Sequence, residues 1–228
     1  MCDSEGLNPI RLTSFGGPEV GSPRWSPDGK QLAFDSHAKG HADIYELNVE
    51  GGLPRRITSE SSTDVLPSWS KDGRWIYFSS NRTGNVQVWK VPVEGGDAVQ
   101  VTKQGGIEPF ESPDGKSVYY CKGISLPGLW RVPVEGGEET PVFNRQAWWG
   151  DWALVNDGIY FLDWVKTDRP WAIAIEFFSF ATHQVTQVAP LGMRPSLDGF
   201  AASPDHRWIL YTEVTPADND IMMVENFR

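Results

Sequence analysis

Trp25-Ser26-Pro27-Asp28-Gly29-Lys30-Gln31-Leu32-Ala33-Phe34 is the stretch whose reading decides the fold, because the chain keeps returning to it. Trp69-Ser70-Lys71-Asp72-Gly73-Arg74-Trp75-Ile76-Tyr77-Phe78 and Glu111-Ser112-Pro113-Asp114-Gly115-Lys116-Ser117-Val118-Tyr119-Tyr120 are further copies. Two weaker ones follow, Leu154-Val155-Asn156-Asp157-Gly158-Ile159-Tyr160-Phe161 and Ala202-Ser203-Pro204-Asp205-His206-Arg207-Trp208-Ile209-Leu210-Tyr211, the last with His206 in place of glycine. Asp-Gly between runs of aromatic and β-branched residues signals a hairpin, since glycine supplies the positive φ a tight reversal needs. Pro27, Pro113 and Pro204 pre-set φ for the turn and cannot donate to a ladder. Each copy therefore reads as strand, turn, strand, with Leu32 and Phe34 on one face and Gln31 and Ala33 on the other, as in a half-buried strand.

The anchors Asp28, Asp72, Asp114, Asp157 and Asp205 lie 44, 42, 43 and 48 residues apart. A unit of about 40 to 45 residues holding four strands is the spacing of a propeller blade. The rest of each unit agrees: a third strand at 43–49, 85–93, 129–134, 171–178 and 220–225, then a fourth at 55–58, 99–102, 140–143 and 184–188. Between them Val49-Glu50-Gly51-Gly52 recurs as Val93-Glu94-Gly95-Gly96 and Val134-Glu135-Gly136-Gly137. The expected fold is an all-β propeller of five four-stranded antiparallel blades. It forms one domain over 1–228, with units at about 21–60, 65–104, 107–145, 150–189 and 199–228.

Pro9-Ile10-Arg11-Leu12-Thr13 matches the fourth-strand segment Pro54-Arg55-Arg56-Ile57-Thr58. A strand at about 9–14 is thus expected to complete the last blade and close the ring, removing the edges that invite aggregation. A closed ring predicts a monomer. The alternative is a fragment of a larger ring, with a structural or self-assembling role and an oligomeric state.

The repeated Trp-Ser-Pro-Asp-Gly-Lys followed by an apolar strand resembles the TolB-type, WD-repeat-like propeller repeat over nearly the whole chain. Propellers of that family are commonly six-bladed, so five units is a departure. The tail Asp218-Asn219-Asp220-Ile221-Met222-Met223-Val224-Glu225-Asn226-Phe227 also resembles the carboxyl end of bacterial multidomain regulators, in which a DNA-binding or kinase domain precedes such a propeller. The resemblance implies a binding scaffold, for such folds host unrelated functions.

Composition narrows the classes. With 20 basic and 30 acidic residues the formal net charge is -10, a sign that opposes gripping a phosphate backbone by this domain alone. Cys2 and Cys121 have neither metal spacing nor a disulfide framework, and Cys121, after a Tyr-Tyr pair, is expected to be buried. The longest apolar run, 171–180, is too short to cross a bilayer and holds Glu176. The opening residues lack the regions of a signal peptide, which favours the cytoplasm and leaves the periplasm open.

Function is expected where the pattern breaks. The loops entering each inner strand carry Glu19, Asp64, Glu108, Asp151 and Asp198, a set able to hold a cation at a channel rim or simply to order its turns by accepting backbone N–H groups. Trp148-Trp149-Gly150-Asp151-Trp152 stands apart, because the other junctions have Gly, Ser or Pro there. With Trp164 and Trp171 it is the candidate binding patch for a protein or a small ligand, the alternative being tryptophans that plug a decayed blade. His37 and His41 share a loop with Asp35 and Asp43, more simply a solvated loop than a metal site. No Gly-x-Ser-x-Gly elbow or phosphate loop is present, so no cofactor or catalytic residue is expected. The enzymatic alternative is a small propeller hydrolase or lyase using Asp151 with Asp163 or Glu176.

Overall fold

The computed structural model describes residues 1, 6–15, 20–123, 125–145, 147–165, 172–191, 195–214 and 219–225; at 164–165, 172, 195–198, 213–214 and 219–225 only the backbone is described. Its organising element is the turn. Ser26 N–H donates to the Gln31 carbonyl and Gly29 N–H to the Ser26 carbonyl, so Pro27 and Asp28 occupy the central turn positions. Ser26 Oγ donates to Asp28 Oδ1 at 2.6 Å and accepts the N–H of Gln31 at 2.9 Å. Ser70 with Asp72, Ser112 with Asp114, and Ser203 with Asp205 repeat the lock. Gly29, Gly73 and Gly115 sit at φ of 70°, 70° and 69°, where a side chain is strained.

These turns join strands into five antiparallel sheets, one per repeat. The first is β1 (Val20–Trp25), β2 (Gln31–Ser36), β3 (Asp43–Asn48) and β4 (Arg55–Arg56) in that order. The second is β5 (Asp64–Trp69), β6 (Trp75–Thr83), β7 (Asn85–Pro92) and β8 (Val99–Gln100). The third holds β9 (Ile107–Glu111), β10 (Ser117–Gly123), β11 (Leu126–Pro133) and β12 (Thr140–Pro141), and the fourth β13 (Trp152–Val155), β14 (Gly158–Val165), β15 (Ala172–Ser179) and β16 (Val185–Leu191). The fifth has three strands among the described residues, β17 (Pro195–Ala202), β18 (Trp208–Val214) and β19 (Asn219–Glu225). No helix long and apolar enough to cross a membrane occurs among the described residues.

The chain divides into two compact units, Met1–Glu111 with Val134–Gly137, and Ser112–Pro133 with Glu138–Arg228. In the first unit Ala33 and Ile44 of the first sheet pack against Trp69, Ile76, Phe78, Val91 and Val93 of the second. Polar contacts repeat at this junction and the next. Asp35 Oδ1 accepts the N–H of Leu66, and Ser79 Oγ that of Glu108; Leu66 and Glu108 both have positive φ, Leu66 at a bulge of the inner strand. Arg55 donates to the Val93 carbonyl and Lys90 to that of Val134. In the second unit Val155, Tyr160, Leu162, Ile173 and Ile175 of the fourth sheet enclose Ile209 of the fifth. Phe143 stacks on Phe161 with centroids 4.7 Å apart. Cys121 is buried, as expected.

Two expectations need correction. The segment at 9–14 forms no strand, and the ring is not closed by it: Ile10 N–H donates to the Met1 carbonyl, and Leu12 and Phe15 lie on Phe34, Tyr45 and Leu47 of the first sheet. Pro9 has no N–H for a ladder, whereas Leu12 and Phe15 gain apolar burial where they are. Nor is β2 half-buried. Leu32, Ala33 and Phe34 are all buried, because the second sheet covers one face and the amino-terminal segment the other.

Candidate functional site

The fourth sheet carries the irregular junction. Gly150, at φ 82°, lets the chain reverse so that Asp151 N–H reaches the Trp148 carbonyl at 3.3 Å, and the Asp151 carbonyl then accepts from Leu162 N–H as β13 begins. The reversal sorts the tryptophans. Trp152 is 1% exposed and Asp151 is also buried, while Trp148 and Trp149 are half-buried. Trp164 lies in β14, where only the backbone is described, and Trp171 lies outside the described residues.

A feature the sequence did not signal sits just upstream. Arg145 Nη1 lies 3.6 Å from Asp163 Oδ2, and its Nε lies 3.9 Å from Glu176 Oε2. Phe161 pairs with Glu176 and Asp163 with Ala174, so the two acids are diagonal neighbours on one face of the sheet. Both carboxylates are buried, yet the Arg145 side chain is 46% exposed. Burial raises the Glu176 carboxyl above the usual range, Arg145 opposes that shift, and the Asp163 charge adds to it. The sequence shows only two acids in successive strands; the register is what brings them together beside a cation.

Two acidic residues of the other junctions, Asp64 and Glu108, are engaged as well. Asp64 is buried, accepts from Ser62 Oγ at 2.8 Å and meets Arg82 at 2.9 Å. Glu108 is buried with Arg24 Nη2 3.9 Å from its Oε1. Burial lowers the Arg24 guanidinium below its ordinary value, opposed by the charges of Glu108 and Asp35. Glu19 lies outside the described residues, and Asp198 lies in β17, where only the backbone is described. Among the described residues no three His, Cys, Asp or Glu side chains are grouped to hold a metal ion; His41 lies 3.5 Å from Asp43, which is paired with Arg56.

Antiparallel sheets, one per repeat, four of them four-stranded and the fifth with three strands among the described residues, packed face to face within each unit, define a β-propeller protein. More narrowly, the chain belongs to the TolB β-propeller domain family, whose sequence profile matches residues 9–125. The Tol-Pal system protein TolB of Xanthomonas campestris pv. campestris is 37% identical over 59 residues, 26% of this chain and 13% of that protein. The crystal structure of TolB from Acinetobacter baumannii superposes with a TM-score of 0.82 at 19% identity, over 98% of this chain and 56% of that one. The chain thus spans about half the length of that TolB. A puromycin hydrolase structure matches with a TM-score of 0.63 at 15% identity, over 89% of this chain and 34% of its own. At such identities the likeness is one of fold. The cytoplasmic preference drawn from the amino terminus finds no support in these matches.

Proposed function

We propose that this chain is a non-catalytic recognition module whose contact patch for a protein partner is centred on Trp148, Trp149 and Arg145. The observation that carries the reading is Arg145 itself. Its guanidinium is half exposed yet anchored from beneath by buried Asp163 and Glu176, three residues before two half-buried indoles. Tryptophan and arginine are the side chains that contribute most at protein interfaces, and an arginine already held in place loses less entropy on binding. Asp151 and Trp152, being buried, support the patch from within. The relatives named for the Tol-Pal system are consistent with work in a protein assembly.

The hydrolytic reading is weaker. An acid pair that does chemistry needs one carboxyl free to give a proton and one to attack or to activate water. Asp163 and Glu176 instead share a cation, and likeness in fold to a puromycin hydrolase carries no reaction with it. The test is a displayed random-peptide selection on the wild-type chain, followed by calorimetry on Trp149→Ala and Arg145→Ala variants whose folding is verified by circular dichroism. Peptides should lose about tenfold or more in affinity on each variant. No selected binder, or equal binding to wild type and variants, overturns the proposal.

A further inference from the structure

In the second sheet, β6 presents alternate residues to two neighbours, Ile76 and Phe78 to the first sheet and Tyr77 to Glu111 of the third. Ile76 and Phe78 of the second sheet receive Ala33 and Ile44 of the first. Their equivalents in the first sheet, counted from Asp28 and Asp72, are Leu32 and Phe34. That face is therefore built to receive a sheet, and it is covered by the short amino-terminal segment instead. Between segment and sheet lies a cavity of about 1170 Å³ lined by Ile10, Leu12, Phe15, Val20, Trp25 and Leu47 among others. Trp25 shows the difference most plainly. Its counterpart Trp69 is buried and donates its indole N–H to the Arg24 carbonyl of the preceding sheet, whereas Trp25 is 51% exposed.

The complementary face is carried by the same chain. Ala33, Tyr77, Tyr119 and Tyr160 hold equivalent positions in four sheets and are all buried, but Leu210, the fifth equivalent, is 42% exposed. Its neighbour Ile209 is buried in the cluster with the fourth sheet, so Leu210 stands on the opposite face. Polar groups match too. Asp35 and Ser79 each accept the N–H of a positive-φ residue of the next inner strand. Thr212 holds their position in the fifth sheet, and Ser22, at φ 51°, holds that of Leu66 and Glu108 in the first.

We propose that the first-sheet face carrying Leu32, Phe34 and Leu47, with Trp25 at its inner end, receives the fifth sheet of a second copy of this chain. The contact continues the packing of sheet on sheet already present inside the molecule, with the segment at 9–15 as a strap that must be displaced. Such an interface is head-to-tail, joining two different surfaces. The strap competes for the same apolar face, so removing residues 1–15 strengthens association.

Sedimentation velocity on the full chain at up to about 100 μM tests this, with folding of every variant verified by circular dichroism. Concentration-dependent association is expected, strengthened by deletion of residues 1–15 and weakened about tenfold or more by Trp25→Glu or by Leu210→Glu. The decisive sample is an equimolar mixture of these two variants. Each keeps one intact face, so the mixture should give dimers and nothing larger. A monomer at all concentrations with and without residues 1–15, or a mixture that fails to dimerise, overturns the proposal. Neither substitution touches the Trp148 patch, so peptide binding there is read independently.

Discussion

His206 Nε2 lies 3.0 Å from Asp157 Oδ1, in the one copy of the Ser-Pro-Asp-Gly turn that has lost its glycine. With Nε2–H directed at the carboxylate, Nδ1 is left to accept from the Tyr160 hydroxyl at 2.8 Å. Burial, with the Asp157 charge adding, pushes that hydroxyl up to about 12, so it is a neutral donor at ordinary pH. The Asp157 side chain is 64% exposed, so its hydrogen bond competes with water and the Tyr160 bond is the stronger of the two contacts. Against these contacts stands the backbone. His206 has φ 58°, a conformation costing a non-glycine residue about 1 kcal/mol. His206→Ala keeps the strain and loses both contacts, so it should destabilise by about 1–2 kcal/mol. His206→Gly loses the contacts and relieves the strain, and should lie about 1 kcal/mol above the alanine variant in urea unfolding. A glycine variant below the alanine variant would contradict a strained turn.

The turn aspartates should make the fold acid-sensitive in a definite window. Asp28, Asp72, Asp114 and Asp205 all sit below the usual carboxylate range, chiefly because a serine hydroxyl donates to each. Asp72 is brought down to about 2. A carboxyl with a lowered folded pKa adds stability above its ordinary value of about 3.9 and loses it as pH falls through the folded value. The melting temperature should therefore drop between about pH 5 and pH 2. Asp72→Asn should flatten that dependence, and Ser70→Ala should move the Asp72 carboxyl titration upward by NMR. An unchanged titration in Ser70→Ala would remove the hydroxyl as the cause.

Tyr77 and Glu111 offer a sharper measure of a buried polar contact. The Tyr77 hydroxyl donates to Glu111 Oε2 at 2.7 Å, while Oε1 accepts the Lys71 N–H at 2.9 Å. Burial, then the bond to Glu111, raises the phenol far above its ordinary value, so it stays a donor. Tyr77→Phe leaves a buried carboxylate oxygen without that partner and should cost about 1–3 kcal/mol. In Glu111→Gln the same tyrosine change should cost less, because a neutral amide is cheaper to leave unpaired. Equal costs in the two backgrounds, in a denaturant double-mutant cycle, would show that the pair is uncoupled.

What could be read before folding was what the chain settles locally. Ser26, Pro27, Asp28 and Gly29 form a turn within six residues, so five such turns at an even spacing carried the strand order and the sheet count. Non-local choices were hidden. Pro9 to Thr13 looks like a fourth strand because local composition is the same, but which surface takes Leu12 and Phe15 depends on the apolar face of Phe34, Tyr45 and Leu47, which no window of sequence displays. Arg145 was missed for the same reason, since Asp163 and Glu176 become neighbours only through the β14 to β15 register. The tryptophans of the fourth unit look alike in sequence. Only the reversal at Gly150 separates the buried one from the half-buried ones.

That separation gives the last prediction. Trp152 fills the interior, so Trp152→Ala removes a large apolar side chain and leaves a cavity, at a cost of about 3–5 kcal/mol. Trp148 and Trp149 are half-buried, and truncating either should cost about 1 kcal/mol, in the range of ordinary substitutions. Trp152→Phe should fall between, since a phenyl ring keeps part of the packing. Urea unfolding midpoints, with m values to verify that compactness is unchanged, rank the four variants. Should Trp148→Ala or Trp149→Ala lose as much as Trp152→Ala, these indoles belong to the core of the fourth sheet and recognition must be sought on another surface. Should they lose little while peptide binding falls, binding rests on Trp148 and Trp149 and stability on Trp152, within five positions of one another.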